Sequence, residues 1–374
     1  MRILDVYGFD AIPVGSLSAP GTNTMIPGTR LRNIGVGYVG TGNSPYCSKA
    51  TDALRIGSSG GIVSGNGGHA HYAYAAAYFA DIDPNLLNTN TPVTMGVRHV
   101  VASMGNVAGA GIQFCGLVFE NVVGNNLIRA ADCAAVPAIG LGHYWEMVVD
   151  RAKNSVAVFR DNKFLKTVDI SGMVATNGKV IGFLFSYVGY TANYGGGSCA
   201  IDYRDMYMAE VEAGDISGRL GPVVVKRLPV SAVDAAWATN PAASVRENVI
   251  NDNQPNMSIP STGALFTYLA VTDVDPKGVI SFSTDNLLDT DRVSAVVFQI
   301  DALAAAGSSV LDATLINGAT EESTKKLTYG TAYNRGVIPG DSNWAKLAHL
   351  KQYPSGGVGK AVVGNLKIKL KASA

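Results

Sequence analysis

Along the first part of the chain, apolar and polar residues alternate in short runs. Clusters of Gly, Asn, Asp and Pro separate them. A period of two sends successive side chains to opposite faces of an extended strand, and the breakers supply the turns. MRILDVYGF, HAHYAYAAAYF, VTMGVRHVVASM, GIQFCGLVFENV, VIGFLFSYVG and CAIDYRDMYMAEV all read this way. The clearest case is HYWEMVVDRAKNSVAVFRDNKFLKT at 143–167, which predicts a three-stranded meander. Trp145, Met147 and Val149 share one face, and Tyr144, Glu146 and Val148 share the other. Val156 and Val158 oppose Ala157 and Phe159. Apolar groups on both faces predict strands covered on both sides, or partly so. DRAKNS reads as a polar hairpin loop. RDNK places Asp-Asn at the tip of a tight turn, where both residues tolerate the left-handed conformation such turns demand.

Helical signals are few. SAVDAAWATNPAASVRENVI at 231–250 is the best of them, cut by Pro241. DSNWAKLAHLKQ at 341–352 predicts one or two turns capped by Asp341 or Ser342. VSAVVFQIDALAAAG at 293–307 reads as a strand running into a turn. In NLKIKLKA, Leu366, Ile368 and Leu370 alternate with Lys367, Lys369 and Lys371. This predicts a lysine-studded edge strand, a pattern that discourages edge pairing.

The texture changes after Glu212. AGDISGRLGP, residues 213–222, is polar and glycine-bearing and ends in Pro. It reads as a linker between a β-sandwich over 1–212 and a smaller second β-sandwich over 223–374. The expected fold class is all-β.

Composition narrows the function. Of 374 residues, 47% are hydrophobic and only 16% charged. Lys plus Arg and Asp plus Glu each number 29, so the net charge is zero. General nucleic-acid binding, which needs basic surface to displace counterions, is not expected. A charge-poor surface loses little on dehydration and suits a subunit packed against others, so a homo-oligomer is expected; a monomer with a surface rich in Asn, Ser and Thr is the alternative. The four cysteines form no CxxC pair and read as free thiols of a protein assembled in a reducing cytosol. The N-terminus lacks the apolar run of a signal peptide, and no stretch approaches a membrane span, so neither secretion by that route nor membrane insertion is expected.

GHYWEMVVDRAKNSVAVFRDNKFLKTVDI resembles the adjacent sheet strands of the concanavalin/laminin-G-like jelly-roll family. VIGFLFSYVG followed by AIDYRDMYMAEV is similar to that family's closing strands. The resemblance spans 1–212. The whole chain resembles structural proteins of tailed bacteriophages. The shared features are the MRILDVYG start, the W-x-x-N-P at 237–241, the stretch VRENVINDNQPNMSIPSTGALFTYLAV and the AVVFQI strand. Leu265 stands where an acidic residue is usual. This resemblance implies a non-enzymatic virion component (tail, fibre, collar or head decoration), made in the host cytoplasm. Its implied partners are itself and other virion proteins, with a host-surface glycan as a further ligand.

Candidate chemistry agrees with that expectation. Jelly-roll glycosidases resemble one another in an E-x-D-x-E strand, whose alternation sets paired carboxylates about 5–5.5 Å apart. The chain lacks the motif. Glu210, Glu212 and Asp215, and the pair Asp202 and Asp205, have other spacings. A polysaccharide-degrading enzyme is therefore the least favoured class, behind a carbohydrate-binding receptor-recognition protein. His69 and His71 share a strand face without a recognisable third ligand. Asp273 and Asp275 in TDVDPKG resemble the start of a calcium loop. The glycine and distal glutamate of an EF-hand are missing, and an Asp-Pro turn is expected. Concanavalin-like modules often hold calcium at a loop rim, which keeps calcium open with no ligands assigned. No other cofactor is expected. SYVGYTANYGGGSC at 186–199 sets Tyr187, Tyr190 and Tyr194 around Gly195, Gly196 and Gly197. Tyrosines on adaptable loops suit sugar stacking or protein contact, and these three are the candidate contact residues. A hairpin whose tyrosines fold back on the sandwich is the alternative.

Overall fold

The computed structural model describes residues 1–9, 15–16, 24–26, 29–38, 44–50, 53–59, 69–104, 113–133, 139–191, 199–211, 218–234, 237–240, 268–270, 277–300, 308–330, 346–354 and 356–373. The chain forms two compact units, Met1–Val225 and Lys226–Ala374. Both are mainly antiparallel β-sheet. Among the described residues, no helix is long and apolar enough to cross a membrane.

The first unit contains β1 (Arg2–Tyr7), β2 (Gly15–Ser16), β3 (Thr24–Met25), β4 (Arg32–Tyr38), β5 (Ser44–Ala50), β6 (Ala53–Ser59), β7 (His69–Tyr78), β8 (Val93–Met104), β9 (Gln113–Phe119), β10 (Val122–Arg129), β11 (Gly142–Asp150), β12 (Ser155–Arg160), β13 (Lys163–Asp169), β14 (Val180–Thr191) and β15 (Cys199–Glu210). One sheet runs β13-β12-β11-β8-β15-β6-β5-β2, with β1 also paired to β15. The other runs β10-β9-β14-β7-β4-β3. Their facing sides close one core. Met95, Val97, Trp145, Met147, Val149, Val156 and Val158 come from the first sheet, and Leu117, Phe119, Phe183 and Phe185 from the second.

The meander forms as its pattern predicts. β11 pairs with β12 and β12 with β13. The β12–β13 turn holds Asp161 at φ 48° and Asn162 at φ 67°, two consecutive left-handed residues. That conformation matches the twist of the flanking strands. Trp145, Met147 and Val149 face the core. Tyr144 packs on the opposite face with Tyr207, Ala209, Leu220 and Val223. Gly96 makes room for this second layer, since a Cβ there would stand 2.1 Å from the Tyr207 ring.

Two further features concern segments that the sequence sets apart. Of the stretch 213–222, residues 218–222 are described, and they belong to the first unit with 223–225. Leu220 and Val223 cover the outer side of the larger sheet. At the N-terminus, β1 is part of the sheet, and Ile3, Leu4 and Tyr7 are buried. Residues 2–7 are thus committed to the unit's own packing.

The second unit contains β16 (Val230–Asp234), β17 (Ala238–Asn240), β18 (Tyr268–Ala270), β19 (Lys277–Phe282), β20 (Ala295–Ile300), β21 (Ser308–Asn317), β22 (Thr320–Gly330), β23 (Lys346–Gln352) and β24 (Leu366–Ser373). A five-stranded sheet runs β16-β19-β24-β21-β22, and β17-β18 and β20-β23 form two-stranded ladders. Phe298 of β20 and Ala348 of β23 share the core with Leu315, Leu327, Ile368 and Leu370 of the larger sheet.

Three expectations need correction here. NLKIKLKA alternates as read, with Leu366, Ile368 and Leu370 buried. It is a central strand, however, hydrogen-bonded to β19 and β21. The period assigns faces and says nothing about neighbours. In 231–250 the described residues form β16 and β17 instead of a helix, and 241–250 lie outside the described residues. In 341–352, residues 346–352 are strand β23, paired with β20, and 341–345 lie outside the described residues. Cross-strand pairing overrides local helical preference in both places.

Candidate functional site

Tyr187 and Tyr190 lie in the last part of β14, opposite Ala73 and Ala70 of β7. On the β9 side the register shifts between Phe185 and Val188. The positions of their side chains, and Tyr194 entirely, fall outside the described residues. The same holds for the side chains of His69 and His71 on β7 and for Asp273 and Asp275. Among the described residues, no group of three His, Cys, Asp or Glu could hold a metal ion.

The carboxylates considered for catalysis are tied to arginines. Asp202 takes a two-point contact from Arg55, with Nε 2.7 Å from Oδ1 and Nη2 2.9 Å from Oδ2. Asp205 interrupts β15 at φ 51° and accepts from the Val225 backbone N–H at 2.9 Å and from Arg98 Nε at 3.3 Å. Glu210 accepts from Arg2 Nε at 2.8 Å. Glu212 and Asp215 lie outside the described residues.

The most densely bonded carboxylate is Glu146, which nothing in its motif context singles out. It is buried on the outer face of β11. Tyr207 Oη and the Gly221 backbone N–H donate to its Oε1 at 2.5 and 2.9 Å, and Arg219 Nη1 donates to Oε2 at 2.5 Å. The Arg219 guanidinium also stacks over Phe159 at 3.7 Å. Tyr207 Oη in turn accepts from the Leu220 N–H at 2.9 Å. Burial first, then the adjacent Glu146 charge, raises the Tyr207 phenol well above its ordinary value, so it stays a donor. Residues 218–225 are thus strapped to the sheet by side chain–backbone bonds. A signal was available: an acid on a strand with apolar groups on both faces must find a partner.

A second buried group sits between the sheets. His99 of β8 is fully buried, stacked on Phe114 of β9 with ring centroids 4.3 Å apart. Trp145 Nε1–H donates to its Nδ1. His143, at the start of β11, contacts Asp161 Oδ2 through Nδ1 at 2.6 Å, and Asp161 Oδ1 accepts from the Tyr144 N–H at 2.9 Å. Burial, followed by the neighbouring His143, pushes His99 down to about 3, while Asp161 acts the other way. The thiols Cys115 and Cys133 are unpaired, and burial raises both. Most of this chemistry braces the first unit's own packing.

No family model matches the chain, and no curated protein does. Among solved structures, it is similar to the polysaccharide lyase family-7 alginate lyase A1-II′ at 13% identity and a TM-score of 0.27, over 46% of this chain and 85% of that one. A sialidase is similar at 8% identity and a TM-score of 0.27, over 48% of this chain and 19% of that one. The binding domain of botulinum neurotoxin DC, solved with rat synaptotagmin II, is similar at 9% identity and a TM-score of 0.26, over 98% and 100%. Scores this low assign neither fold family nor function.

Proposed function

We propose that this chain is a non-enzymatic structural subunit of a tailed-bacteriophage virion. In this reading, a concanavalin/laminin-G-like jelly roll precedes a smaller second β-sandwich, and the subunit packs against copies of itself and other virion proteins. The observation that carries the non-enzymatic reading is how the acids are used. Asp5, Glu146 and Asp202 are buried, and each is held by an arginine. A catalytic carboxyl needs an oxygen free to reach the proton it moves. The jelly-roll assignment is supported by the meander and by the pairing of the first strand, β1, with the last, β15. The virion assignment rests on the sequence resemblance, and packing against partners on the 16% charge content. Tyr187, Tyr190 and Tyr194 are the proposed contacts to a neighbouring subunit or a host-surface glycan.

Sedimentation of the purified full chain at micromolar concentration tests this, combined with an assay for reducing ends released from bacterial surface polysaccharides. A closed oligomer without reducing-end release is expected. A strict monomer, or release that is lost when one carboxylate is changed, would contradict it. Binding on a glycan array that disappears on changing Tyr187 and Tyr190 to alanine would place the glycan contact on β14.

A further inference from the structure

We propose that His99, bonded to Trp145 of its own sheet and stacked on Phe114 of the facing sheet, forms an acid-operated latch in the first unit, closed while the imidazole is neutral and opened when it takes up a second ring proton. This is independent of the virion reading. In the closed state, Trp145 Nε1–H donates to His99 Nδ1. The single proton of the neutral ring is therefore on Nε2. That Nε2–H is buried and has no hydrogen-bond partner. The ring lies nearly parallel to Phe114, at 13°, and to Trp145, at 14°, so it joins β8 and β11 of one sheet to β9 of the other.

The one basic atom left on the ring is Nδ1, which already faces the indole N–H. A proton added there sets donor against donor, and the Trp145 bond cannot persist. The resulting cation would lie among aromatic rings with no acceptor at either nitrogen, an arrangement too costly to keep buried. The titratable groups that act on His99 are His143 of β11 and Asp161 of the β12–β13 turn. The Asp161 carboxylate is already engaged by His143 and the Tyr144 N–H. Tyr203, opposite His99 on β15, directs its hydroxyl to the Phe114 and Ser186 carbonyls. Each of these groups is already engaged elsewhere, so none offers an acceptor to a proton added at Nδ1.

The direction in pH follows. His99 titrates near 6.5 when exposed and is pushed down to about 3 in the folded unit. The unfolded or opened state therefore binds one more proton between those values. Stability from this group is complete above pH 6.5 and is lost as pH falls toward 3. Within that window, the equilibrium constant for closure drops by up to about tenfold per pH unit.

The test uses the full chain. Hydrogen-exchange mass spectrometry between pH 7 and 3.5, corrected for intrinsic exchange, follows peptides of β8, β9 and β11. It compares the wild type with His99→Gln, which keeps an acceptor for the indole but does not titrate. The wild type should lose protection with acid by up to about tenfold per pH unit more than the variant. Equal pH dependence in the two would overturn the latch. If His99→Gln does not fold, NMR of the wild type decides. The His99 ring should stay neutral while the Trp145 indole N–H signal persists, and both should change together. A His99 that titrates near 6.5 with the indole signal unmoved would also overturn it.

Discussion

Replacing Glu146 with alanine will destabilise the first unit by about 3–5 kcal/mol, the range for removing one partner of a buried ion pair. The carboxylate is 1% exposed and receives three donors from two segments of chain. Without it, the Arg219 guanidinium is a largely but not fully buried cation whose Nε already lacks a hydrogen-bond partner. Tyr207 Oη and the Gly221 N–H also lose their acceptor. Glu146→Gln keeps an acceptor and loses the charge, so its cost should be smaller, about 1–3 kcal/mol. The double change Glu146→Ala with Arg219→Ala should cost less than the sum of the single changes, because it leaves no stranded charge. Denaturant titration read by hydrogen exchange separates the peptides of the two units. The strap at 218–225 should lose protection first, and a cost under about 1 kcal/mol for Glu146→Ala would show that the network is not buried as described.

Asp5→Ala should have a comparable effect, about 3–5 kcal/mol, where β1 joins the sheet. Asp5 is fully buried on β1 and accepts from Tyr7 Oη and, at 2.8 Å, from Arg30 Nε. Arg30 also donates to the carbonyls of Leu4 and Ile82, at 2.9 and 2.5 Å. One guanidinium therefore fastens β1 to the short helix Phe79–Ile82 that follows β7. Loss of the carboxylate leaves a largely buried cation and a buried phenol hydroxyl without their acceptor. Tyr7→Phe removes one donor to Asp5 and the acceptor of the Arg30 backbone N–H, at 2.9 Å, but leaves the ion pair, and should cost about 1–2 kcal/mol. The measurement is the same titration, read at β1 and β15 peptides. Equal effects of Asp5→Ala and Tyr7→Phe would contradict the assignment of the pair.

What the sequence makes legible here are faces and turns. Trp145, Met147 and Val149 on one side of β11, and Leu366, Ile368 and Leu370 on one side of β24, follow from period two alone. The Asp161-Asn162 turn follows from the tolerance of those residues for positive φ. Neighbours are harder to read. Nothing local distinguishes an edge strand from a central one in NLKIKLKA, since its lysines are compatible with any strand that has one solvated face. β16 is obscured for a different reason. Its register shifts between Val230 and Ala232, so its buried residues, Val230 and Val233, are three apart and mimic a helical spacing. The candidate chemistry was least visible where it depends on distant partners. Glu146 and Arg219 are 73 residues apart, and Asp5 and Arg30 are 25 apart across the β1–β4 region. His99 reads as an ordinary strand residue until Trp145 and Phe114 are placed around it.

The claim with the widest consequence is that the chain is built into a phage particle. Quantitative mass spectrometry of density-purified, high-salt-washed particles addresses it directly, with immunogold electron microscopy to locate the protein. Peptides from both units, Met1–Val225 and Lys226–Ala374, are expected at a fixed copy number per particle, with label at one structural position. A protein found in the infected-cell lysate but absent from washed particles would contradict it.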